Sequence, residues 1–170
     1  MLGLLSIRPM SGYELKKVID ESVGHFWTAD QSQVYRTLAG LVDDGLATRR
    51  TVVQEGRPNL HLHTVTDRGL AELDRWLASP LPAQPTREPF LARLFFADRI
   101  PPDEIVALLD DRRREVGEQV AALEAISVPA HADDIGTVLR LATLANGIAH
   151  ARAELDWLDA TKRHLESITP

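Results

Sequence analysis

Two segments in the first half of the chain have apolar residues at helical spacing. The first begins at Ser11-Gly-Tyr-Glu14, which has the spacing of a capping box: the Ser11 hydroxyl accepts from the third helical amide while Glu14 reaches back. The second is expected to begin after Asp30, with Thr28 as the alternative cap, and to end at Gly45, which adopts the left-handed conformation without steric cost. Its inner stripe consists of Val34, Leu38, Leu41 and Val42. The pattern predicts a tight helix-turn-helix.

Apolar and polar residues alternate in the segments that follow this pair of helices. Residues 46–53 and 60–66 have the character of two strands around a loop that contains Gly, Pro and Asn, which predicts an antiparallel hairpin. Phe26 and Trp27 lie in the turn between the two helices, where we expect them to anchor the corner to the core. A helix-turn-helix followed by a β-ribbon is a DNA-reading arrangement. The segment therefore favours transcriptional control over catalysis.

The remainder of the chain is predicted to be helical. Thr66-Asp67 caps one more helix, and the following eight residues from Ser79 to Thr86 include three prolines, which indicates a linker. Beyond it we expect a short helix, a longer one that starts at Pro101-Pro102, and a last one that ends near Leu165. The predicted fold is mainly α with a small β-hairpin. It comprises a winged helix-turn-helix domain (1–79), a Pro-rich linker (80–87), and an all-α dimerisation and effector region (88–170).

The last helix carries an apolar seam with alternating spacings of three and four residues, as in a heptad repeat. Its members are Leu141, Leu144, Ile148, Ala151, Leu155, Leu158, Lys162 and Leu165. The seam either packs against the helix at 104–126 within one subunit or pairs two subunits. We favour the second interpretation, because operator recognition by a helix-turn-helix usually requires two recognition helices, one from each subunit of a dimer. The predicted dimerisation residues are Leu141, Leu144, Ile148, Leu155 and Leu158.

Composition excludes several classes of function. The chain has no cysteine, and therefore no disulfide, thiolate zinc site or thiol nucleophile. It has no apolar run of the ~20 residues that span a bilayer, and its start lacks the basic region of a secretory signal. We find no Gly-rich phosphate loop, nucleophile–base arrangement or metal-ligand cluster. We therefore expect a cytoplasmic protein without a cofactor, a metal, a catalytic residue or a membrane contact.

Net charge is −6, which at first argues against a nucleic-acid partner. The acidic excess is concentrated in residues 81–170, with ten Lys and Arg against fifteen Asp and Glu, whereas residues 1–80 have nine against ten. Phosphate binding depends on a local basic face rather than on the sum. Such a face can be formed by Lys16, Lys17, Arg36, Arg49, Arg50 and Arg57. The acidic balance leaves an alternative open: a winged-helix protein–protein adaptor that does not bind DNA.

The second helix of the motif is the expected reader of the major groove. Its opening turns carry Gln, which can bind adenine in bidentate fashion, and Arg, which can bind guanine in the same way. The first helix is expected to contact phosphates. The tyrosine of the second helix is expected to pack its ring on the core and place its hydroxyl on a phosphate, and the arginine of the wing tip to reach the minor groove or its flanking phosphates. The candidate DNA-binding residues are Tyr13, Lys16, Gln31, Ser32, Gln33, Tyr35, Arg36 and Arg57.

Two further groups of side chains allow a ligand-binding interpretation. His61 and His63 share one strand face, but without an identifiable third ligand we interpret them as solvent-facing wing residues rather than a metal site. Aromatic residues of the two regions are suited to a pocket for a flat aromatic effector, with an ordinary interdomain core as the alternative. The residues expected to line this pocket are Trp76, Phe95, Phe96 and Trp157.

The residues over 2–78 resemble, in order, the PadR family of bacterial transcriptional regulators. The resemblance is carried by Leu2-Gly-Leu-Leu, Pro9, Ser11-Gly-Tyr-Glu-Leu-Lys16, Phe26-Trp27, Val34-Tyr-Arg-Thr-Leu38, Gly45-Leu46, Gly56-Arg-Pro58 and Thr66-Asp-Arg-Gly69. It implies a homodimeric winged helix-turn-helix protein, usually a repressor, in a family whose members control phenolic-acid detoxification and drug efflux. The second wing strand departs from the family pattern, since Leu60 and His63 occupy the places of a basic residue and a Tyr. From the resemblance we expect a ligand-responsive repressor that binds a palindromic operator.

Overall fold

The computed structural model of the chain describes residues 1–54, 56, 59–81, 87–129, 131 and 133–168. The chain divides into two units, Met1–Ala83 and Gln84–Pro170. The first unit combines helices with a small antiparallel sheet, and the second is helical over its described residues. The predicted fold class is therefore confirmed. Most of the linker predicted at 80–87 lies outside the described residues.

Three helices precede the β-hairpin of the first unit, and the starts of the second and third follow the predicted caps. α1 spans Leu2–Ile7, α2 spans Gly12–Val18 and continues in a π-helical turn to Val23, and α3 spans Gln31–Asp43. Both bonds of the capping box are present, since the Ser11 amide donates to Glu14 at 2.8 Å and the Glu14 amide donates to the Ser11 hydroxyl at 3.2 Å.

The cap of α3 is also the predicted one. The Asp30 carboxylate accepts from the amide of Gln33 at 2.7 Å. Gly45, just past the end of α3, has a φ of +69°, in the left-handed region that glycine adopts most readily. Each of these signals lies within four residues of the helix end it determines, so the local sequence was sufficient to predict them.

The sheet has three strands rather than the two of the predicted hairpin. β2 (Ala47–Val52) pairs with β3 (Leu60–Val65) in antiparallel register from Ala47↔Val65 to Val52↔Leu60. β1 (Met10–Ser11) pairs with the other edge of β3, with Met10 opposite His63, so the strand order is β1-β3-β2. β1 was missed because two residues are too few to show an alternating pattern. As a consequence, β3 is the central strand.

α4 (Asp67–Leu77) begins on the turn that ends α3. The Thr66 hydroxyl accepts from the Gly69 amide at 3.1 Å and donates to the Gly45 carbonyl at 2.8 Å. The Thr66 amide donates to the Leu46 carbonyl at 3.0 Å.

The hydrophobic core of the first unit lies between α1, α2, α3 and the sheet. It is formed by Leu5, Met10, Leu15, Ile19, Ala29, Val34, Leu38 and Ala47.

The prediction that Phe26 and Trp27 anchor the corner to the core is wrong. Their side chains are 56% and 60% exposed, and the buried residue of this turn is Ala29. Trp76 and Leu77 of α4 are also mostly exposed. Apolar residues thus remain on the surface of the first unit beside α1 and α4.

The second unit is built on two long helices that pack side by side. α5 spans Pro89–Phe95, α6 spans Pro102–Glu124 and α7 spans Ile135–Ile168. Leu109 and Val116 of α6 pack with residues of α7, and ion pairs border the contact. These pairs join Lys162 to Asp110 at 2.7 Å, Arg112 to Glu154 at 2.7 Å and Arg113 to Asp159 at 2.5 Å.

This packing corrects part of the predicted dimer seam. Leu158 is 1% exposed inside one chain, Leu155 packs against the same cluster, and Lys162 is paired with α6. For these residues the alternative of packing within one subunit holds, because α6 fills the face on which they lie. Leu141, Leu144 and Ile148 are half-buried and lie outside that cluster, so their role in dimerisation remains a prediction.

Candidate nucleic-acid interface

Five of the candidate DNA-binding residues lie on α3. Gln31, Ser32, Gln33, Tyr35 and Arg36 are exposed, whereas Val34 and Leu38 are buried. At about 100° per residue, Ser32 and Arg36 lie opposite the buried pair and form the outward face of the helix. The predicted inner stripe of α3 matches the structure, since Val34 and Leu38 are buried and Leu41 and Val42 pack against the same core.

The other candidates on α3 lie on its two flanks. Gln33 and Thr37 border an open pocket beside α1 and α4. Tyr35 lies on the opposite flank, where its ring covers Gly12 of α2, and 47% of its surface remains exposed. The outward face of α3 is thus centred on Ser32 and Arg36.

Lys16, a candidate phosphate contact, is already paired within its own helix. Its ammonium group lies 2.5 Å from the Asp20 carboxylate, and the neighbouring Lys17 lies 3.7 Å from Glu21. A phosphate would therefore have to compete with a carboxylate for each cation. Tyr13, at the start of α2, is 68% exposed.

The wing contributes exposed arginines on both of its faces. Arg49 is opposite His63 and Arg50 is opposite Leu62, so successive side chains point to opposite sides of the sheet, as expected for a strand. Both arginines are exposed. Arg57, the predicted minor-groove residue, lies outside the described residues.

His63 is buried, so its prediction as a solvent-facing residue is wrong. Only 5% of its surface is exposed, and among the described residues its Nδ1 atom has no hydrogen-bond partner. The reason is that His63 lies on the same sheet face as Val65, which packs against the core, and is paired with the buried Met10 of the unpredicted strand β1. Burial lowers the pKa of His63, and the charges of Arg49 and His61 lower it further.

We predict that this histidine makes the fold sensitive to acid. Since the folded-state pKa is below the ordinary value of 6.5, the unfolded chain binds protons first as the pH falls. Stability should be full above about pH 6.5 and should decline from there down to the folded-state pKa. Chemical denaturation at several pH values should show a shallower decline in His63→Leu than in the wild type or in His61→Leu. Equal declines in all three would contradict this assignment.

An apolar pocket of about 560 Å³ opens between α1, α3, α4 and the turn before α3. Trp27, Leu73 and Trp76 form part of its walls, and Gln33 and Thr37 of α3 are among its polar groups. Trp76 was predicted to line an effector pocket, and it lines this one. Its predicted companions Phe95, Phe96 and Trp157 belong to the second unit, where Phe95 contacts Phe96, and Trp157 contacts Phe90, in edge-to-face geometry.

Two other kinds of site are not found in the described part of the chain. No group of three or more His, Asp or Glu side chains there is arranged to hold a metal ion. Among its helices, none combines the length and the apolar character that a bilayer crossing requires.

Comparison with known proteins gives matches to both halves of the chain. Residues 1–75 match the model of the transcriptional regulator PadR-like family, and residues 86–166 match the model described as virulence activator alpha C-term. The negative transcriptional regulator PadR of Bacillus subtilis is 31% identical over 125 residues, which is 73% of this chain and 69% of that protein. The chain belongs to the PadR family of transcriptional regulators.

Relatives of this PadR-family regulator support the same conclusion. A probable transcriptional regulator of Mycobacterium tuberculosis, Rv1176c, is 46% identical over 78 residues, which is 45% of this chain and 41% of that longer protein. The crystal structure of B. subtilis PadR in complex with operator DNA has a TM-score of 0.81 at 26% identity and covers 96% of this chain and 95% of that one. The Vibrio cholerae virulence activator AphA has a TM-score of 0.75 at 26% identity, with 99% and 96% covered. The first unit is therefore a DNA-binding winged helix.

Proposed function

We propose that this PadR-family regulator is a repressor that binds a palindromic operator as a homodimer and releases it when a small aromatic effector binds. The observation that carries the proposal is the outward face of α3, where Ser32 and Arg36 lie opposite the buried Val34 and Leu38. The B. subtilis relative is a negative transcriptional regulator, which supports repression.

In this proposal, α3 enters the major groove and reads bases with its first two turns. Arg36 binds guanine and the adjacent Gln33 binds adenine, the partners that their side chains match in bidentate fashion. Gln31 and Ser32 lie in the opening turn and contribute contacts at the end of the site. Tyr13, Lys16 and Arg57 contact phosphates or the minor groove and fix the register of the protein on the duplex.

Two subunits would place two α3 helices about 34 Å apart, in successive major grooves on one face of the duplex. The half-buried Leu141, Leu144 and Ile148 of α7 are the residues of the predicted seam that remain outside the α6–α7 cluster. We assign the subunit contact to these residues. This arrangement requires an operator with two-fold symmetry.

The effector site in this proposal is the pocket beside α3. Its volume of about 560 Å³ lies within the range of roughly 300–1,000 Å³ that small-molecule pockets occupy. B. subtilis PadR has been solved in complex with p-coumaric acid, a flat aromatic acid. Because Gln33 and Thr37 border the pocket, an occupant would contact the base-reading helix itself.

Titration with p-coumaric acid should quench tryptophan fluorescence, and Trp76→Ala should abolish binding of the acid. Unchanged fluorescence of the wild type would exclude this acid as the effector.

The experiment that tests the proposal is selection of duplexes from a random-sequence pool by the wild-type protein. We expect enrichment of one palindromic sequence, and gel-shift affinity for that duplex should fall steeply with rising salt because phosphate contacts release counterions. A non-palindromic product would contradict the homodimeric part of the proposal. If no sequence is enriched at low salt, sequence-specific binding fails and the adaptor alternative gains support.

A further inference from the structure

We infer that Gly12 and Tyr35 form a spacer that sets the position of α3 on α2, so that Tyr35 serves operator recognition through its ring rather than through its hydroxyl. This inference rests on the proposed function, since it concerns the same recognition helix. It makes Tyr35 a positioning residue and explains why α2 begins with glycine.

The contact between the two residues is too close for any side chain at position 12. A Cβ atom added to Gly12 would lie 2.5 Å from Cε1 of Tyr35 and 3.0 Å from both Cδ1 and Cζ. Ordinary carbon–carbon contacts are about 3.5–4.0 Å. The ring of Tyr35 therefore occupies the space that the side chain of any other residue would fill.

The backbone beneath the ring is held from two directions. Ser11, which precedes Gly12, pairs with Leu62 of the central strand. Its amide donates to Glu14 at 2.8 Å and its hydroxyl contacts the same carboxylate at 2.9 Å. Because both the sheet and the capping box fix this segment, the backbone of Gly12 is held in place. A side chain added at position 12 would therefore displace the ring of Tyr35.

The position of the ring on α3 connects the spacer to DNA reading. Tyr35 lies between the buried Val34 and the outward Arg36, on the flank of α3 that faces α2. A displaced ring would rotate or shift the first turns of α3, which carry the base-reading side chains. Functional side chains need to be held within about 0.5 Å of their productive positions. A shift of about 1 Å, which an added methyl group would demand to restore ordinary contact, exceeds that tolerance.

The test compares Gly12→Ala with Gly117→Ala, a glycine of α6 where an added Cβ would meet nothing within 4 Å. Each variant is titrated, by fluorescence anisotropy, with the duplex that the wild type selects and with a scrambled duplex at low salt. Gly12→Ala should weaken binding to the selected duplex by about tenfold, the order of one misplaced base contact. Its affinity for the scrambled duplex should equal that of the wild type, because non-specific binding depends on phosphate charge. Thermal unfolding should show that both variants are folded.

A second pair of variants separates the ring from the hydroxyl. Tyr35→Phe should bind the selected duplex within about twofold of the wild type, and in a Tyr35→Ala background Gly12→Ala should cost nothing further, since the two residues act as one unit. Equal affinities of Gly12→Ala and Gly117→Ala, or a tenfold loss in Tyr35→Phe, would overturn the spacer alone. If the wild type binds no selected duplex more tightly than a scrambled duplex, the proposed function fails and the spacer fails with it.

Discussion

Replacing Gly69 with alanine is expected to lower the free energy of unfolding by about 3 kcal/mol, the upper range for overpacking a close contact. A Cβ atom at this position would lie 2.1 Å from the carbonyl oxygen of Leu46 and 2.8 Å from Cγ2 of Val65. That carbonyl accepts from the Thr66 amide at 3.0 Å, and the Thr66 hydroxyl binds Gly45. The obstructing atom is therefore backbone that is fixed on both sides, and α4 would have to move away from the turn after α3.

The measurement is urea denaturation of Gly69→Ala beside Gly40→Ala. Gly40 lies within α3, and an added Cβ there would meet nothing within 4 Å. Because alanine favours the helix over glycine, the control should be more stable than the wild type by up to about 1 kcal/mol. An unchanged midpoint for Gly69→Ala would show that α4 is not held against Leu46 as closely as the structure indicates.

The double variant Gln33→Ala with Arg36→Ala is expected to weaken binding to the selected duplex by at least about thirtyfold. Each bidentate base contact contributes about 1–3 kcal/mol of discrimination, and about 1.4 kcal/mol corresponds to a tenfold change in affinity. Both side chains are exposed, so stability should change by no more than about 0.5 kcal/mol. The loss should be largest for the selected duplex and small for a scrambled one, measured by fluorescence anisotropy.

A matched control for this variant is Arg114→Ala with Gln119→Ala, which removes the same two side-chain types from an exposed stretch of α6. It should bind the selected duplex as tightly as the wild type. If the two double variants bind equally well, α3 is not the reader. A winged-helix adaptor that never meets DNA would give that result.

Local features of the fold were predictable because their causes lie close together in sequence. The capping box at Ser11, the Asp30 cap and the turn at Gly45 each involve residues within a few positions of one another. The stripe of α3 was also predictable, since Val34 and Leu38 alternate with polar residues at the helical period. These signals were sufficient to place the buried stripe of α3 and, opposite it, the face for which base reading is proposed.

Features that depend on distant partners were not predictable from the sequence. β1 exists only because β3, some fifty residues later, pairs with it, which places the buried Met10 beside the buried His63. The pocket beside α3 likewise combines residues of α1, the turn and α4. Phe26 and Trp27 were assigned to the core because of their size, although only the tertiary arrangement decides whether a core reaches them.

Two parts of the candidate site lay between these cases. Lys16 and Asp20 are four residues apart on a helical stretch, so their ion pair was predictable from the sequence. That ion pair argues against Lys16 as a free cation available to phosphate. The seam of α7 was correctly identified as apolar, but periodicity does not name the partner. α6 packs against Leu155 and Leu158, which were expected to contact a second subunit.

The central claim, that α3 reads the major groove, is tested most directly by methylation interference on the selected duplex with the wild-type protein. Dimethyl sulfate methylates guanine at N7, in the major groove, and adenine at N3, in the minor groove. We expect guanine methylation to block binding in two clusters about 10 base pairs apart, centre to centre, one for each recognition helix. Interference from adenine N3 alone, or no interference at any base, would contradict the account.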